Sequence, residues 1–202
     1  IYCVGRNYAS HVREMGHDPD RDLPFFFMKP PDAIVESGGT VAYPPQTTNL
    51  HHEMELVAAI GKTGADISPE QANDYIWGYG VGIDLTRRDL QEEAKNQGRP
   101  WDAGKGFDQS GPISALHPAA EIGHPSTGRI WLEVNGETRQ DSDIDKLIWS
   151  IPEVISHLSG LFTIEPGDLI YTGTPAGVGP VVAGDRITGG VDGVDTLTIG
   201  IV

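Results

Sequence analysis

The segment His51-His52-Glu53-Met54-Glu55-Leu56-Val57 holds the densest set of residues able to do chemistry in this chain. Its apolar continuation reads as a strand, and side chains alternate along a strand, so His51, Glu53 and Glu55 point one way while His52, Met54 and Leu56 point the other. Two carboxylates then sit about 7 Å apart on a half-buried surface, where like charges repel unless a cation or proton intervenes. A solvated strand face is the plain alternative. Asp84 supplies a third carboxylate, closing an 78–83 run nearly free of polar side chains just before a helix expected to open at Thr86. At that place it either joins a site or caps the helix. An all-oxygen set of Glu53, Glu55 and Asp84 suits a hard cation, Mg²⁺ or Mn²⁺ with Ca²⁺ also accommodated, rather than zinc or copper. No second histidine follows Glu53 at the helical spacing of a zinc protease, and adjacent histidines on a strand diverge rather than converge on iron.

Three further segments carry chemistry. In Gly5-Arg6-Asn7-Tyr8-Ala9-Ser10-His11-Val12-Arg13-Glu14, His11 and Glu14 are spaced i, i+3, which in a helical turn places them on one face. A carboxylate beside an imidazole fixes its tautomer and raises its basicity, as activation of a water requires; a surface ion pair is the other reading. In Trp101-Asp102-Ala103-Gly104-Lys105-Gly106-Phe107-Asp108, one lysine sits among glycines and aromatics. Its ammonium could anchor a carboxylate or stabilise a developing oxyanion, or it could be a solvated loop charge. On the functional reading its loss costs catalysis and little stability. Finally, Tyr171-Thr172-Gly173-Thr174-Pro175-Ala176-Gly177 runs from a strand into a glycine-rich loop that offers close backbone approach and neutral hydroxyl donors. It lacks the G-K-[ST] of a phosphate-binding loop.

The elements that must position these residues are mostly β. Apolar and β-branched runs at 1–4, 25–28, 54–60, 79–85, 130–134, 169–172 and 196–202 read as strands. Asn135-Gly136 and Asp192-Gly193 read as type I′ hairpin turns. One helix is expected over 86–97, with Thr86 as N-cap and Gly98-Arg99-Pro100 as its stop, and a second opens on the capping box Ser150-Ile151-Pro152-Glu153 and closes at Gly160. Short turns are expected near 8–15 and 69–76. With 202 residues, 26 glycines and 15 prolines, about a fifth of the chain against roughly 12% in average usage, many short elements joined by tight turns follow. A net charge of −15 disfavours nucleic acid and anionic lipid as partners. The longest apolar runs fall far below the ~18 residues of a membrane helix. A single cysteine, Cys3, and no secretory leader in this stretch point to a reduced, cytoplasmic protein. One α+β domain over 1–202 is expected, with an N-terminal part (1–50) that carries a lid-like segment (5–16), and a metal-binding β core (51–202).

Taken together, G-R-N-Y-A-x-H-x-x-E-M (5–15), F-F-x-K-P (26–30), H-H-E-M-E-L (51–56), G-I-D-L-T-R-R-D-L-Q (82–91), K-G-F-D (105–108) and T-G-T-P-A-G-V-G-P (172–180) resemble the fumarylacetoacetate hydrolase family. The match runs in order from Tyr2 to about Asp185, and the 2–30 stretch with Arg99-Pro100-Trp101-Asp102 looks most like its bacterial members that cleave fumarylpyruvate in aromatic-compound catabolism. The resemblance implies a mixed β-sandwich or roll with a few short helices, a homodimer, and Mg²⁺ held by Glu53, Glu55 and Asp84. It implies His11 and Glu14 as a water-activating dyad, Lys105 as a further catalytic cation, and Arg88, Gln91 and Thr174 as substrate contacts. The expected activity is cleavage of a carbon–carbon bond in an acylpyruvate, a small 2-oxo acid. The carboxylate at the far end of fumarylpyruvate needs a cation, for which Arg6, Arg21 and Lys29 are candidates. Decarboxylation of oxaloacetate or isomerisation of a 2-hydroxyhepta-2,4-diene-1,7-dioate would use the same metal without a hydrolytic water. A non-enzymatic metal-binding β-module is a reading of another class.

Overall fold

A computed structural model describes residues 1–15 and 22–202, so Arg21 and the rest of the 16–21 stretch lie outside the described residues. Its centre is an eight-stranded mixed sheet in the order Phe25–Met28, Tyr2–Gly5, Leu169–Tyr171, Met54–Ile60, Ile76–Ile83, Gly111–Ile113, Ile34–Glu36, with His117–Pro118 added against Ile76–Ile83. The Met54–Ile60 strand is buried on both faces, and its alternation separates two apolar clusters. Met54, Leu56, Ala58 and Ile60 face the main core, which they share with Val81, Ile83, Ile130, Leu132, Ile187, Leu197 and Ile199. Val57 and Ala59 face a smaller cluster with Cys3, Ile113 and Tyr171. Glu55 shares the parity of this second pair, which is why a carboxylate can leave the main core without disturbing it.

The main core is closed by a five-stranded sheet ordered Glu137–Asp143, Arg129–Val134, Arg186–Val191, Asp195–Ile201, Thr40–Val41. A small third sheet pairs Gly179–Val181 with Leu50–His52 and Leu50–His52 with Thr86–Arg87. Parallel pairing of Tyr2 with Ile170, Ile34 with Gly111 and Gly200 with Thr40 makes the larger sheets mixed. The expected mostly-β architecture with short helices is what forms. Among the described residues no helix is long and apolar enough to cross a membrane.

Local expectations divide. Asn135 (φ 54°) and Gly136 (φ 80°) form the type I′ turn expected between 129–134 and 137–143. At Asp192-Gly193 only Gly193 has positive φ, and the strands resume pairing at Val191 and Asp195, so three residues make the loop rather than two. The capping box at Ser150 and Glu153 forms and opens the helix Ile151–Ser159. Thr86, by contrast, does not cap a helix. It sits in a two-residue strand, the helix spans Arg88–Asn96, and the Thr86 hydroxyl is drawn into the acidic cluster instead.

Candidate active site

Strand register assembles the carboxylates. Glu53 occupies the break between the Leu50–His52 and Met54–Ile60 strands, and Met54 pairs with Ile83, so Asp84 emerges beside Glu53 with its N–H on the Glu53 carbonyl at 2.8 Å. Glu53, Glu55 and Asp84 are all buried, and one carboxylate oxygen from each lies within 4.8 Å of the others. Three cations surround the group. Lys105 Nζ donates to Glu53 Oε2 (2.8 Å), Asp84 Oδ2 (2.6 Å) and Thr86 Oγ1 (2.7 Å). Arg88 Nη2 donates to Glu53 Oε1 at 2.5 Å. Lys29 Nζ lies 2.7 Å from Asp84 Oδ1 in a charge contact without hydrogen-bond alignment, and donates to the carbonyls of Leu85 and Lys105.

Glu55 is treated differently. Its Oε2 accepts the Gly173 N–H at 2.7 Å, and among the described residues no cation pairs with it. Burial, then the charges of Asp84 and Glu53, push its carboxyl well above the ordinary range. For Glu53, burial is outweighed by the ammonium of Lys105 and the guanidinium of Arg88, which hold it well below that range. Lys105, for which burial alone favours the neutral amine, is held charged by Asp84 and Glu53. Converging hard oxygens, one of them on a carboxylate that its neighbours repel, fit a divalent cation of the Mg²⁺ or Mn²⁺ kind.

The second group arrives from the N-terminal segment. Ahead of the short helix Ala9–Glu14, Asn7 is pinned on both sides: its Nδ2 donates to the carbonyls of Trp149 (2.9 Å) and Thr172 (2.8 Å), and its Oδ1 accepts the Trp149 N–H (2.8 Å). The helix that follows presents His11 with Nδ1 at 3.2 Å from Glu14 Oε2. Glu14 also accepts the Gly177 N–H, at 3.0 Å on Oε1 and 3.2 Å on Oε2. Gly173 and Gly177 thus tie one loop to both carboxylate groups, and each position demands glycine. Both have positive φ, and a Cβ would meet Asn7 Cβ at 2.7 Å in one case and the Arg139 carbonyl at 2.0 Å in the other.

A cavity of about 340 Å³ brings these groups onto one surface. Of the residues singled out from sequence, Arg6, His11, His51, Glu53, Glu55, Arg88, Gln91, Lys105 and Thr174 line it; Glu14 does not and is joined to it through His11, and Asp84 lies behind Lys105 and Glu53. Arg88, besides gripping Glu53, donates to Gln91 Oε1 (2.5 Å) and His51 Nδ1 (3.3 Å). Lys29 does not reach the cavity: it is 2% exposed and spent on Asp84 and two carbonyls, which removes it as a partner for a substrate carboxylate. Lys95 lines the cavity and was not found from sequence, and Trp101, which the sequence offers only as part of a segment, lines it as well. Lys95 was findable, because it stands seven residues after Arg88 on the same helix face.

Fold and site together define a family. The fumarylacetoacetate (FAA) hydrolase C-terminal profile matches residues 1–202, and the chain belongs to that family. It is 52% identical over 190 residues to the fumarylpyruvate hydrolase of Ralstonia sp, covering 92% of this chain and 98% of that one. It is 47% identical over 197 residues to the mitochondrial oxaloacetate tautomerase of Mus musculus, covering 98% and 89%. The crystal structure of fumarylpyruvate hydrolase from Pseudomonas aeruginosa, in complex with Mn²⁺ and pyruvate, superposes with a TM-score of 0.97 at 56% identity, covering 100% of this chain and 88% of that one. These relatives are enzymes, and the reading as a non-enzymatic β-module is set aside.

Proposed function

We propose that the chain hydrolyses an acylpyruvate, fumarylpyruvate in particular, to fumarate and pyruvate. The observation that carries the reading is that His11, hydrogen-bonded to Glu14 at 3.2 Å, lines the same cavity as Glu53 and Glu55. A divalent cation, Mg²⁺ or Mn²⁺, held by Glu53, Glu55 and Asp84 would act as a Lewis acid toward the 2-oxo acid end of the substrate. Glu14 accepts the Nδ1 proton of His11 and leaves Nε2 as the base that takes a proton from water. The hydroxide adds to the distal carbonyl, the bond between C3 and C4 breaks, and its electron pair passes to the pyruvate fragment, which takes up a proton. Lys105 supplies positive charge at the polarised end, and Arg88, Gln91 and Thr174 hold the acid. Arg6, on the cavity wall, meets the far carboxylate.

The 5–16 segment acts as a lid on a single catalytic domain over 1–202, within which 51–202 is the metal-binding core. The assembly is a homodimer, and the buried, unpaired Cys3 suits a reducing, cytoplasmic setting. A panel of fumarylpyruvate, other acylpyruvates and oxaloacetate at fixed Mg²⁺ tests the activity, with fumarylpyruvate expected to turn over fastest. The likeness to an oxaloacetate tautomerase supports a second reading, action on oxaloacetate by decarboxylation or isomerisation without a hydrolytic water. Faster turnover of oxaloacetate in that panel would establish it.

A further inference from the structure

Gln140 belongs to none of the motifs above. Its strand, Glu137–Asp143, is exposed at Glu137, Thr138, Arg139 and Asp141, yet Gln140 is completely buried, and its amide uses every hydrogen-bonding capacity it has. Oε1 accepts the Met54 backbone N–H at 3.0 Å, and Nε2 donates to the Pro175 carbonyl at 2.9 Å. Neither partner can exchange roles, because a backbone N–H only donates and a carbonyl only accepts, so the two together fix which end of the amide faces which neighbour.

The other two bonds are then determined. The second Nε2 hydrogen goes to Thr174 Oγ1 at 2.8 Å, which makes the threonine oxygen an acceptor there. Its own hydrogen must therefore point elsewhere, and among the described residues no acceptor takes it; Thr174 lines the cavity beside Glu55 and Lys105. The second lone pair of Oε1 takes the Nδ1 proton of His52 at 3.2 Å, which leaves His52 Nε2 bare and without a partner.

We propose that Gln140 is a positioning residue that makes Thr174 an obligate hydrogen-bond donor into the cavity, directed at an oxygen of the bound 2-oxo acid. This rests on the reading of the cavity as a 2-oxo-acid site. Without Gln140, nothing obliges the Thr174 oxygen to accept, and its hydrogen is no longer committed to the cavity. The role reaches the substrate through Thr174 alone.

Calorimetric titration of pyruvate into Mn²⁺-saturated protein tests it. Gln140→Met should weaken pyruvate about 3- to 10-fold, the worth of one net hydrogen bond, and raise KM more than it lowers kcat. Thr174→Val should do the same, and Gln140→Met added to Thr174→Val should cost nothing further. An equal loss in both backgrounds, or no loss in Gln140→Met alone, would overturn the role. A parent protein that binds no pyruvate would instead overturn the reading of the cavity. Should Gln140→Met not fold, the ¹⁵N imidazole spectrum of the unsubstituted protein decides: His52 with its proton on Nδ1 supports the fixed amide, and a proton on Nε2 overturns it.

Discussion

Glu14 accepts the backbone N–H of Gly177 with both carboxylate oxygens, at 3.0 and 3.2 Å, while its Oε2 also meets His11 Nδ1. The loop that anchors Glu55 through Gly173 therefore also sets the orientation of the dyad. Gly177→Ala would drive a methyl into the Arg139 carbonyl and shift that loop. The expected result is a kcat lowered ~100-fold, the scale of an ångström-sized misplacement. His11→Ala and Glu14→Ala should lower kcat by roughly 10²–10⁴ with Mn²⁺ affinity little changed, since neither is a proposed ligand. Loss of Mn²⁺ binding in either dyad variant would remove the dyad from its role.

Lys105→Met tests a revised expectation. As a loop lysine facing only substrate, it would be dispensable for stability; as the buried bridge between Glu53 and Asp84 it is not. Removing one partner of a buried pair costs about 3–5 kcal/mol. Metal-free Lys105→Met should lose that much in urea denaturation and regain part of it with Mn²⁺, which supplies the missing positive charge. An unchanged midpoint without metal would show that Lys105 does not hold the carboxylates.

Glu55→Gln should have the opposite effect on the metal-free protein. Burial, with repulsion from Asp84 and Glu53 added to it, raises the Glu55 carboxyl, so between its ordinary pKa and the raised value the folded state binds more protons than the unfolded one. Stability is then lost as pH rises through that window. Glutamine removes the repelled charge and can still accept the Gly173 N–H. Thermal melting at neutral pH should move upward, while Mn²⁺ affinity falls at least ~10-fold. Lower stability accompanied by unchanged metal binding would refute both the repulsion and the ligand role.

Acid has a separate signature. Burial lowers His51 and His52, each from 6.5 to about 4, with the Arg88 charge adding to the effect on His51. Folding keeps both neutral, so the stability they contribute is complete above 6.5 and lost as pH falls toward 4. Equilibrium denaturation between pH 4 and 7 should show a falling slope that His52→Gln reduces. A flat profile would contradict imidazoles kept neutral by the fold.

Much of the site was legible in the sequence because its logic is local. Strand parity placed His51, Glu53 and Glu55 on one side, and helical spacing joined His11 to Glu14. What stayed hidden depends on which strands meet. In the sequence, the chemistry of the three carboxylates alone joins Asp84 to Glu53 and Glu55; the seat of Asp84 beside Glu53 is set by the pairing of Met54 with Ile83, which no local rule states. Lys29 reads as a free cation but is buried against Asp84 through contacts 55 residues distant. Thr86 looks like a cap until the acidic cluster takes its hydroxyl. Gln140 lies in no motif, and Asn7 lies in one without a legible role, because each acts by saturating backbone groups contributed from far along the chain.

The parallel pairing of Tyr2 with Ile170 and the bond from Glu14 to Gly177 bear on how the protein is made. The base and its carboxylate are synthesised well before the loop that holds them, which follows 163 positions later. Closing a loop of this length is entropically costly and slow, so a nascent chain can build its hairpins early yet hold no competent site until the 173–177 loop has emerged and docked.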